Sequence, residues 1–153
     1  MTARLARVPT APRYVSLLNP LLKLMLRVGV PLGPNALVTI TGRTSGVPRT
    51  TPIAVIDVDG HRWIWSPWGD VQWVRNLRAA GRATIAVRRR SENVIATELN
   101  DEARIAFFRD VLAPLVRSLR GGEWFIRTLD GVDVRDPVAA ANGRVVFELQ
   151  AAP

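Results

Sequence analysis

Length, composition and charge exclude several classes of protein. The chain has 153 residues, 48% hydrophobic and 22% charged, which is typical of one globular domain and not of a disordered chain. It has no cysteine, so disulfides, thiolate metal sites and cysteine nucleophiles are excluded, and no metal site is expected. The net charge of +8 comes almost wholly from arginine, which suits an anionic ligand, although an Ala- and Arg-rich composition is also what a GC-rich genome produces.

The N-terminal region predicts an arm followed by a helix. Residues 1–13 are expected to form a flexible arm, and residues 14–153 a single domain. Over residues 14–28 the apolar side chains recur every three or four positions, which indicates an amphipathic helix that Pro20 begins or interrupts. We interpret this helix as a cap on the core; the alternative is peripheral contact with an anionic membrane surface. The segment is too short and polar to span a membrane, so the expectation is a cytoplasmic protein, with membrane association as the alternative.

The later elements are predicted from alternation, turn residues and helix caps. Strands are expected at 36–41, 50–58, 62–66, 83–90, 93–99 and 144–149; one helix runs from an Asp70 cap to Gly81, and another from an Asn100 cap, with a kink at Pro114, to Gly121–Gly122. Residues 123–142 are expected to be a loose segment, and His61, beside the turn at 59–60, a solvated strand end. Hairpins dominate this order, which favours an α+β fold with a mainly antiparallel closed barrel and flanking helices. Neither a Rossmann glycine pattern nor a P-loop is present.

The loop between the first two strands has the composition of a phosphate site. Residues 42–52 read GRTSGVPRTTP, with two arginines, several hydroxyls and two glycines. Backbone amides, hydroxyls and guanidinium groups that converge on one point bind phosphate. An ordinary polar Gly/Pro loop explains the same residues, so local chemistry leaves both interpretations open.

A second segment is rich in tryptophan. Residues 63–73 read WIWSPWGDVQW, with four tryptophans around a strand end, a turn and a helix start. A planar aromatic ligand could stack there. Core packing is the alternative, and we expect it for at least one of Trp63 and Trp65, whereas Trp68 lies in the turn. Farther on, Arg88–Arg90 are interpreted as a charged strand edge, or alternatively as a docking patch for a polyanionic tail.

Residues 20–118 resemble the deazaflavin-dependent nitroreductase family. The resemblance rests on the run LVTITGRTSGVPRTTPIAV, the following Ser-Pro-Trp-Gly, and the run WVRNLRAAG from Trp73 to Gly81. It implies the split β-barrel fold shared by flavin and deazaflavin oxidoreductases, and coenzyme F420 as the cofactor.

The resemblance also implies roles for individual residues. Arg43, Thr44, Ser45, Arg49 and Thr50 would surround the cofactor phosphate, with Thr51 and Pro52 leading into the strand below the ring. Ser66, Pro67, Trp68 and Gly69 would meet the ring, and Trp73 and Asn76 would support it. Thr44 stands where the family often has a lysine or arginine, so one cation of the phosphate site is missing. The family's tyrosine-rich substrate end has no counterpart here, since the only tyrosine is Tyr14. Trp68, Trp124 and Phe125 are therefore the expected substrate-pocket residues, under a lid at 121–134.

The predicted function is hydride transfer from reduced F420 to an electron-poor small molecule, such as an enone, quinone or nitroaromatic. No protein acid is obvious in the sequence, so a proton is expected from solvent or from a hydroxyl such as Ser66. The alternatives are an FMN-dependent reductase of the same fold and a non-catalytic deazaflavin carrier. A basic nucleic-acid-binding module lacks any recognisable motif, so no nucleic-acid partner is expected. Monomer and homodimer remain open.

Overall fold

The computed structural model describes residues 35–153 and Pro20. The arm predicted at 1–13 and, apart from Pro20, the helix predicted at 14–28 lie outside the described residues. The elements of the described region are β1 (Asn35–Thr41), β2 (Pro48–Val58), β3 (His61–Ser66), α1 (Gln72–Ala80), β4 (Arg82–Val87), β5 (Arg90–Glu98), α2 (Asp101–Ala106), a π-helical segment (Phe107–Leu112), α3 (Ala113–Ser118), α4 (Gly122–Asp130), α5 (Pro137–Ala141) and β6 (Val145–Ala151). None of the helices among residues 35–153 is long and apolar enough to cross a membrane.

Within residues 35–153, six strands form a closed barrel in the order β1-β2-β3-β6-β5-β4, with β4 pairing back onto β1. Every neighbouring pair is antiparallel. The predicted α+β fold, an antiparallel barrel with flanking helices, is therefore confirmed. Because the barrel is closed, none of the six strands of residues 35–153 has an unpaired edge.

Alternating strand residues supply two separate apolar clusters, because successive side chains of a strand point to opposite faces. Inside the barrel, Val38, Ile64 and Phe147 are buried together with Val74 and Leu77 of α1, which covers this cluster. On the outer face a second cluster packs against the helices that follow β5; its buried members include Ile56, Trp65, Phe107, Phe108, Leu112 and Val146. The ring centroids of Trp65 and Phe108 lie 5.5 Å apart in an edge-on contact, and those of Trp63 and Phe107 lie 5.7 Å apart. Core packing therefore accounts for both tryptophans, and it was expected for at least one.

Two tight turns set the register of the hairpins. Asp59 and Gly60 join β2 to β3 with φ of 53° and 81°, the positive values of a type I′ turn, which confirms the hairpin predicted there. Arg88 and Arg89 join β4 to β5 with φ of 47° and 67°. The prediction that residues 88–90 end a strand is thus wrong: β4 stops at Val87, and the first two arginines form a turn whose backbone is strained for side chains with a Cβ.

The start of α1 differs from the prediction. Val71, not Asp70, is the N-cap residue, and no side chain caps this end. Asp70 instead forms an ion pair with Arg78, at 2.9 Å, and Arg78 also pairs with Glu98 at 2.7 Å. The hydrogen bond from Arg78 holds the pKa of the Asp70 carboxyl below its ordinary value. Gly81 ends the helix with φ of 69°, as predicted.

The second predicted helix is confirmed at its start and corrected at its end. The Asn100 side chain accepts a hydrogen bond from the amide of Ala103 at 2.9 Å, so it is the predicted cap. The irregularity expected at Pro114 takes the form of the π-helical segment, which runs directly into α3, where Pro114 is the second residue. Proline has no amide hydrogen to donate within a helix, so a local change of the hydrogen-bond pattern is expected there. The helix ends at Ser118, and Gly121, with φ of 73°, begins α4 rather than ending the helix before it.

The prediction of a loose segment at 123–142 is also wrong, because α4 and α5 occupy most of these residues. In α4 only Ile126 is buried, whereas the large apolar residues Trp124 and Phe125 are exposed, which obscured the helical pattern. Asp136 caps α5 by accepting from the amide of Ala139 at 3.1 Å.

Candidate functional site

The loop between β1 and β2 is a compact turn held by its own backbone. The amide of Gly42 donates to the carbonyl of Val47, and the amide of Gly46 donates to the carbonyl of Gly42, both at 2.9 Å. A Cβ on Gly42 would lie 2.8 Å from Ser45 Oγ and 3.1 Å from the Val47 carbonyl, so a side chain at this position would require the Ser45 side chain to move and the loop backbone to shift. Ser45 Oγ accepts the amide of Val47 at 3.2 Å, which leaves the hydroxyl hydrogen available to a ligand.

Arg43 is oriented by two amide side chains of α1. One guanidinium nitrogen donates to Gln72 Oε1 at 3.0 Å and to Asn76 Oδ1 at 2.8 Å. The backbone amide of Arg43 also donates to Asn76 Oδ1, at 3.2 Å. These acceptors are neutral, so they fix the guanidinium without cancelling its charge. Asn76 is only 8% exposed, which makes it a buried anchor between the helix and the loop.

Arg49 supplies a second cation to the same place. No carboxylate of residues 35–153 lies within ion-pair distance of its guanidinium. Its neighbour Thr50 shares a 2.8 Å hydrogen bond with Thr39 across the β1–β2 pair. Together with Arg43, the loop presents two positive charges that no acidic side chain of the described residues offsets.

These side chains surround a polar cavity of about 620 Å³, which we call the basic cavity. Its walls are residues of β1, the loop, β2 and α1: Ile40, Gly42, Arg43, Thr44, Ser45, Pro48, Arg49, Thr50, Thr51, Gln72, Trp73 and Asn76. The structure thus brings together eight of the sequence-predicted residues, those at 43–45, 49–51, 73 and 76. Guanidinium groups, hydroxyls and a tight glycine turn without a neutralising carboxylate fit a phosphate group.

A second, apolar cavity of about 450 Å³ adjoins the first. Trp73 lines both cavities, and Thr51 of the basic cavity is followed in β2 by Pro52 of the apolar one. The other residues around it come from the strands β1 to β3, from the turn after β3, and from the stretch between the π-helical segment and α4: Asn35, Ile53, Ala54, Ile56, Trp65, Pro67, Trp68, Leu112, Leu115, Val116, Leu119, Gly122, Phe125, Ile126 and Asp130. Mostly apolar walls with few polar groups are typical of sites for planar organic ligands.

Three predicted site residues, Ser66, Gly69 and Trp124, lie outside both cavities. Ser66 has no exposed surface, and its hydroxyl donates to the carbonyl of Gly69 at 2.8 Å. Gly69 is also buried and turns the chain with φ of 71°. Both therefore shape the turn that carries Trp68, and the expectation that Ser66 acts as a proton donor is not supported by its position.

Trp124 is separated from its predicted partners. It is 64% exposed and lines a different, smaller pocket with Glu123 and Arg127, whereas Phe125 lines the apolar cavity together with Trp68. Neighbouring residues of a helix point about 100° apart, and on α4 the side chains of Phe125 and Ile126 line the apolar cavity whereas that of Trp124 does not.

Gln72 and Asp130 are two polar residues of the site that were not predicted from the sequence. Gln72 lies one turn before Asn76 on α1, and this spacing was the available signal, since both amides then face the same loop. Asp130, the last residue of α4, lines the apolar cavity, but it fell within the segment predicted to be loose.

The arginine patch lies away from both cavities. In the β1–β4 pair Leu37 faces Ala86 and Thr39 faces Thr84, so the Arg88–Arg89 turn lies at the opposite end of β1 from Gly42. Arg88 and Arg90 line another pocket, with Asp57, Arg62 and Glu92. The patch is therefore not an extension of the basic cavity.

Comparison with known proteins places the site in a family. The family model for F420H(2)-dependent quinone reductase matches residues 25–118, which include the loop, the turn after β3, α1 and α3. No curated protein matches the sequence.

Several solved structures share the fold at low identity. An F420-H2 dependent reductase aligns with a TM-score of 0.50 and 18% identity over 76% of this chain and 94% of its own. A conserved hypothetical protein from Mycobacterium tuberculosis aligns with a TM-score of 0.50 and 15% identity, covering 99% and 87% of the two chains. A heme storage protein from Vibrio cholerae aligns with a TM-score of 0.52 and 14% identity, covering 89% and 91%. At this identity the structures establish the barrel fold alone, whereas the family model covers more than half of the sequence. The chain belongs to the F420H(2)-dependent quinone reductase family and is an F420-dependent oxidoreductase.

Proposed function

We propose that the protein passes a hydride from reduced F420 to an electron-poor carbonyl or nitro compound, such as a quinone, an enone or a nitroaromatic, held in the apolar cavity. This proposal rests on one observation: the basic cavity and the apolar cavity adjoin at Trp73, which lines both. One cavity offers guanidinium groups that no carboxylate of the described residues neutralises, and the other offers mostly apolar walls. A cofactor with a phosphate on one side and a planar ring on the other matches this division.

The basic cavity would hold the phosphate. Arg43 and Arg49 would supply charge-assisted hydrogen bonds, and Thr44, Ser45 and Thr50 would supply hydroxyls. The amides of Asn76 and Gln72 would keep Arg43 in place before the cofactor arrives, so that little side-chain entropy is lost on binding.

The apolar cavity would hold the ring and the acceptor. Thr51 and Pro52 of β2 would lie along the ring, with Trp73 on the phosphate side and Pro67 and Trp68 at the far side. Reduced F420 supplies the hydride when it is bound. The protein's own contribution is to orient the two reactants and to keep water from the space between them.

The open side of the apolar cavity favours an enzyme over a carrier. Trp68 and Phe125 line the cavity beyond the proposed ring position, and the exposed side chains of Phe125 and Leu119 show that this side reaches solvent. A carrier protects its cofactor on both faces, whereas hydride transfer needs room for an acceptor against one face.

The first test is a binding titration. F420 and FMN are added separately to the purified protein, and quenching of tryptophan fluorescence is followed; tighter binding of F420 is expected. Arg49→Ala should raise the F420 dissociation constant about tenfold to 150-fold, from the 1.5–3 kcal/mol of a hydrogen bond to a charged group. Arg90→Ala removes the same charge at the distant hairpin and should leave the constant unchanged.

The second test is turnover. Oxidation of reduced F420 is followed by visible absorbance with quinones, enones and nitroaromatics. Tight F420 binding without oxidation by any acceptor would leave a carrier, and equal or tighter FMN binding would favour an FMN-dependent reductase.

A further inference from the structure

Asp130 is the acidic side chain in the wall of the apolar cavity. Apart from Asn35, the other residues that line this cavity are apolar or aromatic; Trp68, Leu115, Leu119, Phe125 and Ile126 are among them. Among residues 35–153, no group donates a hydrogen bond to its carboxyl. In an apolar wall without hydrogen-bond donors, the neutral acid form of a carboxyl group is more favoured than it is in water, so burial raises the pKa of the carboxyl.

The position of Asp130 in the fold supports the neutral acid. It is the last residue of α4, where the carbonyl ends of the helix disfavour a negative charge. Burial raises the pKa of the Asp130 carboxyl, and the charge of Arg144 offsets part of this effect. The other charged groups of this region form ion pairs with one another or line a different pocket. Arg117 pairs with Glu123 at 3.0 Å, and Asp133 pairs with Arg135 at 2.7 Å. Arg127 lines the pocket beside Trp124.

Arg144 fixes the backbone that carries Asp130. It is only 6% exposed, and it donates to the carbonyl of Ala140 at 3.0 Å and to the carbonyls of Asp130 and Gly131 at 3.3 and 3.2 Å. Its guanidinium makes no ion pair with the Asp130 carboxyl within 4.0 Å. The arrangement leaves the carboxyl free to carry a proton and keeps a positive charge near the carboxylate that forms when the proton leaves.

We propose that Asp130 is the proton donor to the reduced acceptor, a role that rests on the function proposed above. A quinone or enone that receives a hydride gains two electrons and one hydrogen, and its carbonyl oxygen becomes an anion. The Asp130 O–H bond breaks, a new O–H bond forms on that oxygen, and the carboxylate that remains takes a proton from water when the product leaves. The electrons come from reduced F420, which is oxidised in the same turnover.

The first test uses the protein without cofactor. The aspartate carboxyl carbons are labelled with ¹³C and titrated by NMR from pH 2 to pH 9. One resonance should titrate above the ordinary aspartate range and disappear in Asp130→Asn, while Asp133→Asn should remove a resonance that titrates near pH 2. An Asp130 resonance that titrates at the ordinary value would overturn the proposal.

The second test compares turnover of menadione and cyclohexenone. Asp130→Asn should lower kcat about 100-fold, the lower end of the contribution of general acids, with the F420 dissociation constant unchanged. Asp130→Glu retains a carboxyl and should keep part of the rate, and Asp133→Asn should match the wild type. Circular dichroism and thermal melting verify that each variant is folded.

The outcomes separate the two proposals. If the wild type turns over and Asp130→Asn turns over equally, Asp130 is not the donor, whereas the reductase function stands. If none of the acceptors tested supports oxidation of reduced F420 by the wild type, the proposed function fails, and the donor role fails with it.

Discussion

Asn76 accepts two hydrogen bonds from Arg43, one from the backbone amide at 3.2 Å and one from the guanidinium at 2.8 Å. A single buried oxygen thus fixes both the start of the loop and the direction of its first cation. Because Asn76 lies on α1, whose Val74 and Leu77 are part of the barrel core, the orientation of Arg43 depends on the packing of the domain.

Replacing Asn76 should weaken cofactor binding without removing a residue that we expect to touch the phosphate. In Asn76→Ala, Arg43 loses its buried acceptor, and the F420 dissociation constant should rise about tenfold. In Asn76→Asp the acceptor remains, but the carboxylate neutralises Arg43, so binding should also weaken, and the loss should shrink as pH falls and the carboxylate is protonated. Fluorescence titrations at pH 4.5 and pH 7.5 measure both effects. Unchanged affinity in both variants would show that Arg43 does not meet the phosphate.

The barrel and much of the basic cavity were predictable because local patterns determine them. The Asp59–Gly60 hairpin, the Gly81 helix end and the Asn100 cap each rest on a residue whose own backbone or side chain makes the feature. The loop residues were recognisable because the resemblance covers one continuous run.

The apolar cavity was less predictable because its walls come from distant parts of the chain. Asp130 reaches it only because α4 packs beside α3, and the exposed Trp124 and Phe125 disguised α4 as a loose segment. Asp70 resembled a helix cap, but pairing with Arg78 competes for its carboxylate. Burial of Ser66 depends on the turn around Gly69, which sequence spacing does not reveal.

Ser66→Ala should lower stability and spare catalysis. Its buried hydroxyl is the hydrogen-bond donor to the Gly69 carbonyl, so alanine leaves that acceptor without its partner, at a cost of about 1–3 kcal/mol in the free energy of unfolding. Urea unfolding measures the loss. The rate per folded molecule should remain within about twofold of the wild type, since the hydroxyl does not reach the cavity. A 100-fold lower kcat at unchanged stability would restore Ser66 as a proton donor.

Asp130 and Asp133 should give pH dependences of opposite sign. The pKa of Asp130 is raised in the folded protein, so the folded state binds more protons than the unfolded state above pH 3.8, and its contribution to stability is lost as pH rises through the folded pKa. The hydrogen bonds from Arg135 lower the pKa of Asp133 to about 2, so its contribution is present above pH 3.8 and is lost as pH falls toward 2.

The two asparagine variants test these signs by urea unfolding between pH 2 and pH 8. Relative to the wild type, Asp130→Asn should gain stability as pH rises above 3.8, whereas Asp133→Asn should lose stability over pH 2 to 4 and stay lower above it. Groups common to all three proteins cancel in the differences. If the difference in unfolding free energy between Asp130→Asn and the wild type does not change with pH, the Asp130 carboxyl of the wild type has the same pKa in the folded and unfolded states.

Trp68 and Trp124 form a matched pair for asking whether the apolar cavity is used in turnover. Trp68 lines the apolar cavity and not the basic one, whereas Trp124 lines a different pocket. In Trp68→Ala the acceptor should lose a wall, so kcat/KM for menadione should fall about tenfold or more, while F420, which we propose to be held mainly through its phosphate in the basic cavity, should lose less affinity. Trp124→Ala removes the same side chain from solvent and should leave both quantities unchanged. Steady-state kinetics and fluorescence titration of the two variants give the comparison. If Trp68→Ala instead lowers F420 affinity as much as kcat/KM, Trp68 contacts the ring itself, and the acceptor must approach from the side of Phe125.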